Sequence, residues 1–180
     1  MQTLVLLSGG LDSLACVAHY RDRGLSPEAL FVDYGQAASA RERAAAKSLA
    51  GRLNFVLHFA SVTGVQTPQG FIPGRNALLL MVGLMHFQRE SGLISLGIHA
   101  NTLYSDCSPH FVSQMQGVFD TYRGGAIQID APFLHGTKAD VWDFLREHNY
   151  PLEDTYSCEN GNVPCGRCLS CLDVESLNAR

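Results

Sequence analysis

Short apolar runs alternate with longer amphipathic segments over most of the chain. Five of these runs have the length and the β-branched or aromatic content of buried strands. They cover residues 3–7 (TLVLL), 28–34 (EALFVDY), 54–60 (NFVLHFA), 93–99 (LISLGIH) and 126–133 (AIQIDAPF). Each run is followed by a segment with apolar residues at helical spacing. This alternation predicts an α/β fold with a doubly wound, parallel, five-stranded sheet.

Three of the helices can be placed from the pattern itself. The first begins at Leu11 and continues towards Gly24, the second covers residues 40–53, and the third covers residues 76–90. The third helix, NALLLMVGLMHFQRE, is apolar on almost every face, which predicts burial between the sheet and a neighbouring surface. That surface is either the core of the domain or a subunit contact.

Composition limits the possible partners. The chain has 180 residues, 46% of them hydrophobic, which is enough for one domain with a full core. Its 13 basic and 17 acidic residues give no indication of a nucleic-acid or membrane-surface partner. No apolar stretch approaches the roughly 20 residues that span a bilayer, and no basic segment precedes the first strand. We therefore expect a soluble, cytoplasmic protein.

Polar loops follow the predicted strands. In an open parallel sheet, ligands bind beyond the carboxyl ends of the strands, so these loops are the expected location of a functional site. They are residues 8–13 (SGGLDS), 33–36 (DYGQ), 70–76 (GFIPGRN), 99–110 (HANTLYSDCSPH) and 131–138 (APFLHGTK).

The first of these loops has the features of an anion site. Ser8, Gly9 and Gly10 join a strand to a helix, which directs backbone N–H groups and a helix dipole at one point. The loop has neither the GxxxxGK[ST] spacing of ordinary NTPases nor the GxGxxG spacing of dinucleotide-binding folds. A compact pyrophosphate would suit it, and the alternative is a tight turn in which Ser8 acts only as a local cap.

Two cations lie at predicted helix starts. Lys138 begins the last helix of the α/β pattern, and Arg75, next to the amide of Asn76, begins the third helix. A cation there opposes the helix dipole by roughly 0.3–1 kcal/mol, a cost that an anionic ligand would reverse. The alternative is two solvated surface charges.

Four cysteines near the C-terminus have the spacing C-x6-C-x2-C-x2-C. They are Cys158, Cys165, Cys168 and Cys171. Four thiolates suit a structural tetrahedral Zn²⁺, and an iron–sulfur cluster is the alternative. We predict two units, an α/β nucleotide-binding domain over residues 1–150 and a tail over residues 151–180. The tail is too short for its own core, so we expect it to pack on the same domain.

The loop SGGLDS matches the SGGxDS signature of the PP-loop ATP pyrophosphatases, enzymes that cleave ATP between its α and β phosphates. Together with FVDYGQ, PGRN, APFLHGTKADV and SCENGNVPCGRCLSC, in that order, it resembles the 7-cyano-7-deazaguanine synthase (QueC) family. The resemblance covers nearly the whole chain. It implies an ATP- and Mg²⁺-dependent carbon–nitrogen ligase that forms a homodimer.

The resemblance also implies the reaction and the site. The carboxylate of 7-carboxy-7-deazaguanine would be adenylated and converted with ammonia, through the amide, to the nitrile, releasing AMP and pyrophosphate. The implied catalytic residues are Lys138, Asp12 and Ser13. The implied ATP-binding residues are Ser8, Gly9, Gly10, Leu11, Asp12, Ser13, Asp33, Tyr34, Gln36, Arg75 and Asn76. The implied substrate-binding residues are Asp106, Cys107, Arg75 and Gly97.

The chain departs from the family pattern where the substrate should bind. Residues 37–40 (AASA) replace a basic, His-containing stretch, LYSDCSPHF stands for YPDCRPEF, and the connection before Pro73 is short. These departures leave three alternatives open. In the first, the enzyme stops at the amide or passes the acyl group to an amine of another molecule such as a protein. In the second, the protein is a tRNA-modifying thiolase. In the third, it is a non-catalytic nucleotide-binding subunit.

Overall fold

The computed structural model describes residues 1–64, 72–99, 102 and 104–179. Its centre is a sheet of five parallel strands in the order β3-β2-β1-β4-β5. The strands are β1 Thr3–Leu6, β2 Glu28–Asp33, β3 Leu57–Ser61, β4 Gly92–Leu96 and β5 Ile127–Asp130. Val5 of β1 lies opposite Ala29 of β2 on one side and Ser95 of β4 on the other. The predicted doubly wound sheet is confirmed, and its strand order reverses at β1 and β4.

In the described part of the chain, six α-helices connect and flank the strands. They are α1 Leu11–Arg21, α2 Ser39–Leu53, α3 Arg75–His86, α4 Pro109–Arg123, α5 Lys138–Glu147 and α6 Leu169–Asn178. Helix α3 is shorter than predicted because Phe87 adopts an extended conformation while its N–H still bonds to the carbonyl of Gly83. Among the described residues, no helix has the length and apolarity needed to cross a membrane.

The sheet is covered on both faces. Leu4 and Leu6 pack with helices α3 and α4, whereas Val5 and Leu7 pack with α1 and α2. This alternation follows from the two-residue period of a strand, and burial of each such side chain contributes about 1.5–3 kcal/mol. Because β1 is buried on both faces, the loop that follows it starts from the centre of the core.

The C-terminal tail lies against this domain both through α6 and through the segment before the cysteines. Val174 and Leu177 of α6 pack in a cluster that contains Leu11 and Trp142. Upstream of the cysteines, the Tyr156 N–H donates to the carbonyl of Gly9 over 2.9 Å. The tail is therefore bonded directly to the predicted phosphate loop.

Candidate phosphate and substrate site

The turn after β1 is shaped by a glycine in the left-handed region. Gly9 has φ +85°, and a Cβ there would lie 2.7 Å from the carbonyl oxygen of Glu42. Helix α1 then begins at Leu11, with Gly10 at its N-cap and no side-chain cap. Helices α4 and α5, in contrast, are capped by Ser108 and Thr137. The first N–H groups of α1 thus have no capping side chain, which suits an anion bound at this turn.

Two serines brace the same turn. The Ser13 hydroxyl donates to the carbonyl of Gly10 over 2.9 Å, and its oxygen lies 3.2 Å from the Ser8 oxygen. The Gly10 N–H donates to the Ser8 hydroxyl over 3.3 Å. The Ser8 hydroxyl therefore bonds to the N-cap residue Gly10 itself and does not cap the N–H groups of helix α1.

A carboxylate and an ammonium group meet beside the turn. Lys138, the first residue of α5, donates to Oδ2 of Asp12 over 2.5 Å, and its side chain is 17% exposed. The other oxygen, Asp12 Oδ1, is buried and accepts no hydrogen bond from the described residues. A hard anionic oxygen in this position fits the ligand preference of Mg²⁺. Asp12 and Lys138 are brought together as predicted, although 126 positions separate them.

A close approach of β4 to α1 adds a histidine to this group. A Cβ on Gly97 would lie 2.7 Å from the backbone carbon of Asp12, so glycine is needed for the contact. Two residues later, His99 is 7% exposed, with Nε2 at 3.9 Å from Asp12 Oδ1. The sequence reasoning missed His99, and its one signal was its position directly after a strand at the point where the strand order reverses.

The loops after β2 and β3 line a cavity of about 340 Å³. Its wall includes Asp33 and Tyr34, two of the predicted ATP-binding residues. Burial by itself raises the pKa of Asp33, but hydrogen bonds from the Gly35 N–H and from neighbouring side chains, Arg43 among them, outweigh it and lower the pKa. Asp33 is therefore an ionised acceptor at the rim of the cavity.

Gln36 and Glu42 hold the β2 loop in place. The Gln36 side chain accepts from the Tyr34 N–H over 2.9 Å and donates to Glu42 over 2.8 Å. Burial raises the pKa of Glu42, although the Gln36 hydrogen bond and the charge of Arg75 oppose it. Arg41, in contrast, stacks over the ring of Tyr156 at 5.2 Å, in the tail. Glu42 thus faces the predicted site, whereas Arg41 contacts the tail.

The start of α3 is tied to the loop after β4. The Asn76 amide, 2% exposed, donates to the carbonyl of Asp106 over 3.1 Å. The Arg75 Nε atom lies 3.4 Å from the Asn76 amide oxygen. Asp106 Oδ1 is buried and accepts no hydrogen bond within the described chain. Burial raises the pKa of the Cys107 thiol, so it stays protonated at neutral pH.

Residues 70 and 71 of the loop before α3, and residues 100, 101 and 103 of the loop after β4, lie outside the described residues.

The four tail cysteines form one compact cluster. The Sγ atoms of Cys158, Cys165, Cys168 and Cys171 all lie within 4.8 Å of one another. Bonds of about 2.3 Å to a single tetrahedral ion place thiolates about 3.8 Å apart, so the cluster is close to that geometry. In a [4Fe–4S] cluster each thiolate binds a different iron, which spreads the sulfur atoms further. Backbone hydrogen bonds from Arg167 and Cys168 lower the pKa of Cys165, whereas burial raises the pKa of Cys168.

Fold and site together define a nucleotide-binding α/β protein of the PP-loop type. Two solved structures share the fold. The U34-tRNA thiolase NcsA from Methanococcus maripaludis is similar with a TM-score of 0.60 at 11% identity, over 99% of this chain and 64% of that chain. NMN synthetase from Francisella tularensis is similar with a TM-score of 0.54 at 18% identity, over 88% of this chain and 66% of that chain.

The family model described as queuosine biosynthesis protein QueC matches residues 2–65 and 54–176. The chain is 33% identical to the 7-cyano-7-deazaguanine synthase of Methanospirillum hungatei, over 95% of this chain and 91% of the relative. It is also 33% identical to the 7-cyano-7-deazaguanine synthase of Microcystis aeruginosa, over 94% of this chain and 87% of that relative. The chain therefore belongs to the QueC family, which is a family of enzymes.

The comparison also indicates where the chain is short. The family model matches in two pieces that overlap at residues 54–65, around β3. The alignment with the Methanospirillum hungatei relative extends over 204 positions, more than the 180 residues of this chain. The relatives therefore contain internal sequence that this chain lacks, and the break in the match lies beside the cavity at β2 and β3.

Proposed function

We propose that this protein is an ATP-dependent carbon–nitrogen ligase that converts 7-carboxy-7-deazaguanine and ammonia, through the amide, to 7-cyano-7-deazaguanine. The observation that carries the proposal is the Lys138–Asp12 pair beside the uncapped start of α1. Family membership supplies the substrate, because the curated relatives are named for this product.

The first half of the reaction activates the carboxylate. One substrate oxygen attacks the α-phosphorus of ATP, the bond to the β-phosphate breaks, and an acyl-adenylate and pyrophosphate form. Ser8, Ser13 and the N–H groups of residues 9–13 would bind the departing pyrophosphate, with Lys138 neutralising its charge. Mg²⁺, held by Asp12 Oδ1, would supply further charge stabilisation for the phosphates. Such preorganised electrostatics supply most of the rate enhancement in reactions of this kind.

The second half transfers nitrogen. Ammonia displaces AMP from the acyl carbon to give the amide. A second ATP adenylates the amide oxygen, and loss of AMP leaves the nitrile. Both adenylations release pyrophosphate first and AMP afterwards, so one site serves both adenylations.

We assign the two substrates to separate places. The cavity at Asp33 and Tyr34 would hold the nucleoside of ATP. Asp106 Oδ1, which accepts no hydrogen bond from the described residues, would accept from the donor edge of the deazaguanine base. The Asn76 amide donates to the backbone carbonyl of Asp106, which supports a positioning role for Asn76 rather than direct ATP binding.

The tail and the quaternary structure belong to the same proposal. Residues 151–180 would be a zinc-binding tail on the α/β domain of residues 1–150, with Zn²⁺ in a structural role because four thiolates leave no open position. We also propose a homodimer through α3 and α4, where Met85 is 74% and Tyr122 66% exposed.

The test is a product assay. The purified protein is incubated with 7-carboxy-7-deazaguanine, ATP, Mg²⁺ and ammonium, and products are identified by liquid chromatography and mass spectrometry. We expect the nitrile with two AMP and two pyrophosphate per turnover. Release of ADP, or absence of any substrate-dependent AMP, would contradict the proposal.

A second candidate keeps the adenylation and changes the acceptor. This chain lacks the internal sequence that its relatives contain beside β3. The missing sequence would leave space at this edge of the sheet for an amine larger than ammonia. In this case the enzyme passes the acyl group to an amine on a partner such as a protein. Intact mass spectrometry of partner proteins after incubation would reveal the added acyl group, and its absence alongside nitrile formation would exclude this candidate. The likeness to a tRNA thiolase concerns the fold alone.

A further inference from the structure

The two serines of the phosphate turn already use their hydroxyl hydrogens within the turn. A serine hydroxyl has a single hydrogen to donate. That of Ser13 is donated to the carbonyl of Gly10 over 2.9 Å. The oxygens of Ser8 and Ser13 lie 3.2 Å apart, and since Ser13 has no second hydrogen, Ser8 is the donor in this pair. An anion that takes either hydrogen must therefore break one of these bonds.

The C-terminal tail brings another serine to this turn. Ser157 follows Tyr156, whose N–H donates to the carbonyl of Gly9 over 2.9 Å. A Cβ on Gly10 would lie 3.5 Å from the carbonyl oxygen of Tyr156 and 3.9 Å from the hydroxyl oxygen of Ser157. The tail therefore passes directly over the turn, with the Ser157 hydroxyl beside the N-cap of α1.

The side of Gly10 on which Ser157 lies is the side that a capping group would occupy. At a helix N-cap, the side chain starts at Cβ, and its oxygen accepts from the first N–H groups of the helix. Gly10 has no such oxygen, and α1 has no side-chain cap. The hydroxyl oxygens of Ser8 and Ser157 both lie within 4 Å of the position of the missing Cβ. An anion bound in place of a cap would therefore meet Ser157.

The Ser157 hydroxyl is accessible and has a hydrogen to donate. It forms no hydrogen bond with the described residues, and its side chain is only partly buried. Together with Leu11, the first residue of α1, Ser157 lines a cavity of about 930 Å³ whose wall also includes residues of α5 and α6. A hydroxyl next to open space can rotate its hydrogen towards an anion without losing another bond.

We propose that Ser157 donates a hydrogen bond to the pyrophosphate that ATP releases, so that the cysteine tail completes the phosphate site of the α/β domain. A hydroxyl bound to a phosphate oxygen forms a charge-assisted bond, roughly twice as strong as a neutral one. Negative charge grows on the pyrophosphate as the bond between the α and β phosphates breaks, so this hydrogen bond strengthens during the reaction. The proton stays on Ser157, and no covalent bond to it forms. This inference rests on the proposed function, because it requires that ATP is cleaved to AMP and pyrophosphate.

The experiment compares Ser157→Ala, which removes the hydroxyl, with Ser157→Thr, which keeps it. Inorganic pyrophosphate and AMP, each with Mg²⁺, are titrated separately into each protein by calorimetry. The kcat for AMP formation that depends on 7-carboxy-7-deazaguanine is measured in parallel. The matched control is Ser176→Ala, which removes an exposed hydroxyl from α6 in the same tail. The free energy of unfolding and the metal content of each variant are also measured, because Ser157 adjoins Cys158.

We expect Ser157→Ala to bind pyrophosphate about 10–100-fold more weakly and AMP within about twofold of the parent, with a fall in kcat, as for loss of a hydrogen bond to a charged group. Ser157→Thr should recover most of the pyrophosphate affinity, and Ser176→Ala should resemble the parent. Unfolding and metal content should not change.

Parental pyrophosphate affinity in Ser157→Ala would overturn the inference, as would equal losses for AMP and pyrophosphate, or a parent protein that binds no pyrophosphate. A loss of affinity that accompanies a loss of metal in both Ser157→Ala and Ser157→Thr would also overturn it, because Ser157 would then act through the tail. If the parent binds pyrophosphate but forms no AMP from ATP and the deazaguanine acid, the proposed function fails. The two failures are thereby distinguished.

Discussion

At the scale of single residues, the two lysines of the chain have opposite environments. Lys138 is largely buried in a pair with Asp12, whereas Lys47 is exposed on α2, with its Nζ atom 5.5 Å from the centre of the Phe59 ring. A cation at the start of α5 opposes the helix dipole unless an anion is bound there. The structure supplies one anion, Asp12, and the proposed function supplies a second in the pyrophosphate.

Lys138→Met therefore tests the charge at the leaving group. We expect kcat/KM for AMP formation to fall by about 10²–10³-fold, corresponding to about 2.7–4 kcal/mol of lost electrostatic stabilisation. Steady-state release of AMP gives the measurement. Lys47→Met removes the same charge and should change the rate less than about twofold, because its site is solvent-exposed. A Lys138→Met enzyme with parental kcat/KM would refute the assigned role.

Gly97 tests the contact between β4 and α1. In Gly97→Ala the new methyl group would lie 2.7–2.8 Å from the backbone of Asp12 and Ser13, so the start of α1 must move. We expect a lower free energy of unfolding and weaker ATP binding, measured by chemical denaturation and by calorimetry. Gly117→Ala, at a helical position with open space around it, should raise the free energy of unfolding slightly. Unchanged ATP affinity in Gly97→Ala would show that this contact does not position the turn.

Glu42 gives a pH dependence with a defined sign. Its pKa in the folded state is raised, so the folded protein binds more protons than the unfolded chain above about pH 4.3. The contribution of Glu42 to stability consequently falls as pH rises from the unfolded pKa through the folded pKa. Glu42→Gln should be more stable than the parent at pH 7, with the difference vanishing near pH 4. Parallel stability curves for the two proteins would contradict this.

At the scale of elements, the strands and the first three helices could be predicted because their apolar residues face a sheet inside the same chain. Helix α6 was missed because its side chains follow no apolar stripe, with Leu172 exposed and Leu177 buried. The phosphate turn was predicted from its glycines. The positions of His99 and Glu42 in the site were not predicted, because they depend on tertiary contacts that leave no local pattern in the sequence.

The tail offers a test of coupling between elements. The Tyr156 N–H bonds to Gly9, and Tyr156 belongs to the same apolar cluster as Cys158 and Cys168. Removal of the proposed Zn²⁺ with a zinc-selective chelator should therefore loosen the tail and weaken binding of pyrophosphate at least severalfold. Calorimetric titration before chelation, after it, and after return of Zn²⁺ gives the measurement. Parental pyrophosphate affinity in the metal-free protein would show that tail and turn are independent.

At the scale of the whole molecule, the fold collects residues that are distant in the chain. The strand order β3-β2-β1-β4-β5 places the loops after β1 and β4 side by side, and α5 begins next to them. Asp12 lies in the first turn of α1, His99 in the loop after β4, and Lys138 at the start of α5. This topology explains why one edge of a small domain can bring residues from distant parts of the chain to the proposed phosphate site.

The central claim is that the substrate carboxylate attacks the α-phosphorus of ATP. It is tested most directly with 7-carboxy-7-deazaguanine labelled with ¹⁸O in its carboxylate, in the presence of ATP, Mg²⁺ and ammonium. Mass spectrometry of the nucleotide product should find ¹⁸O in AMP and none in pyrophosphate. Unlabelled AMP, or ¹⁸O in inorganic phosphate together with ADP, would contradict the account.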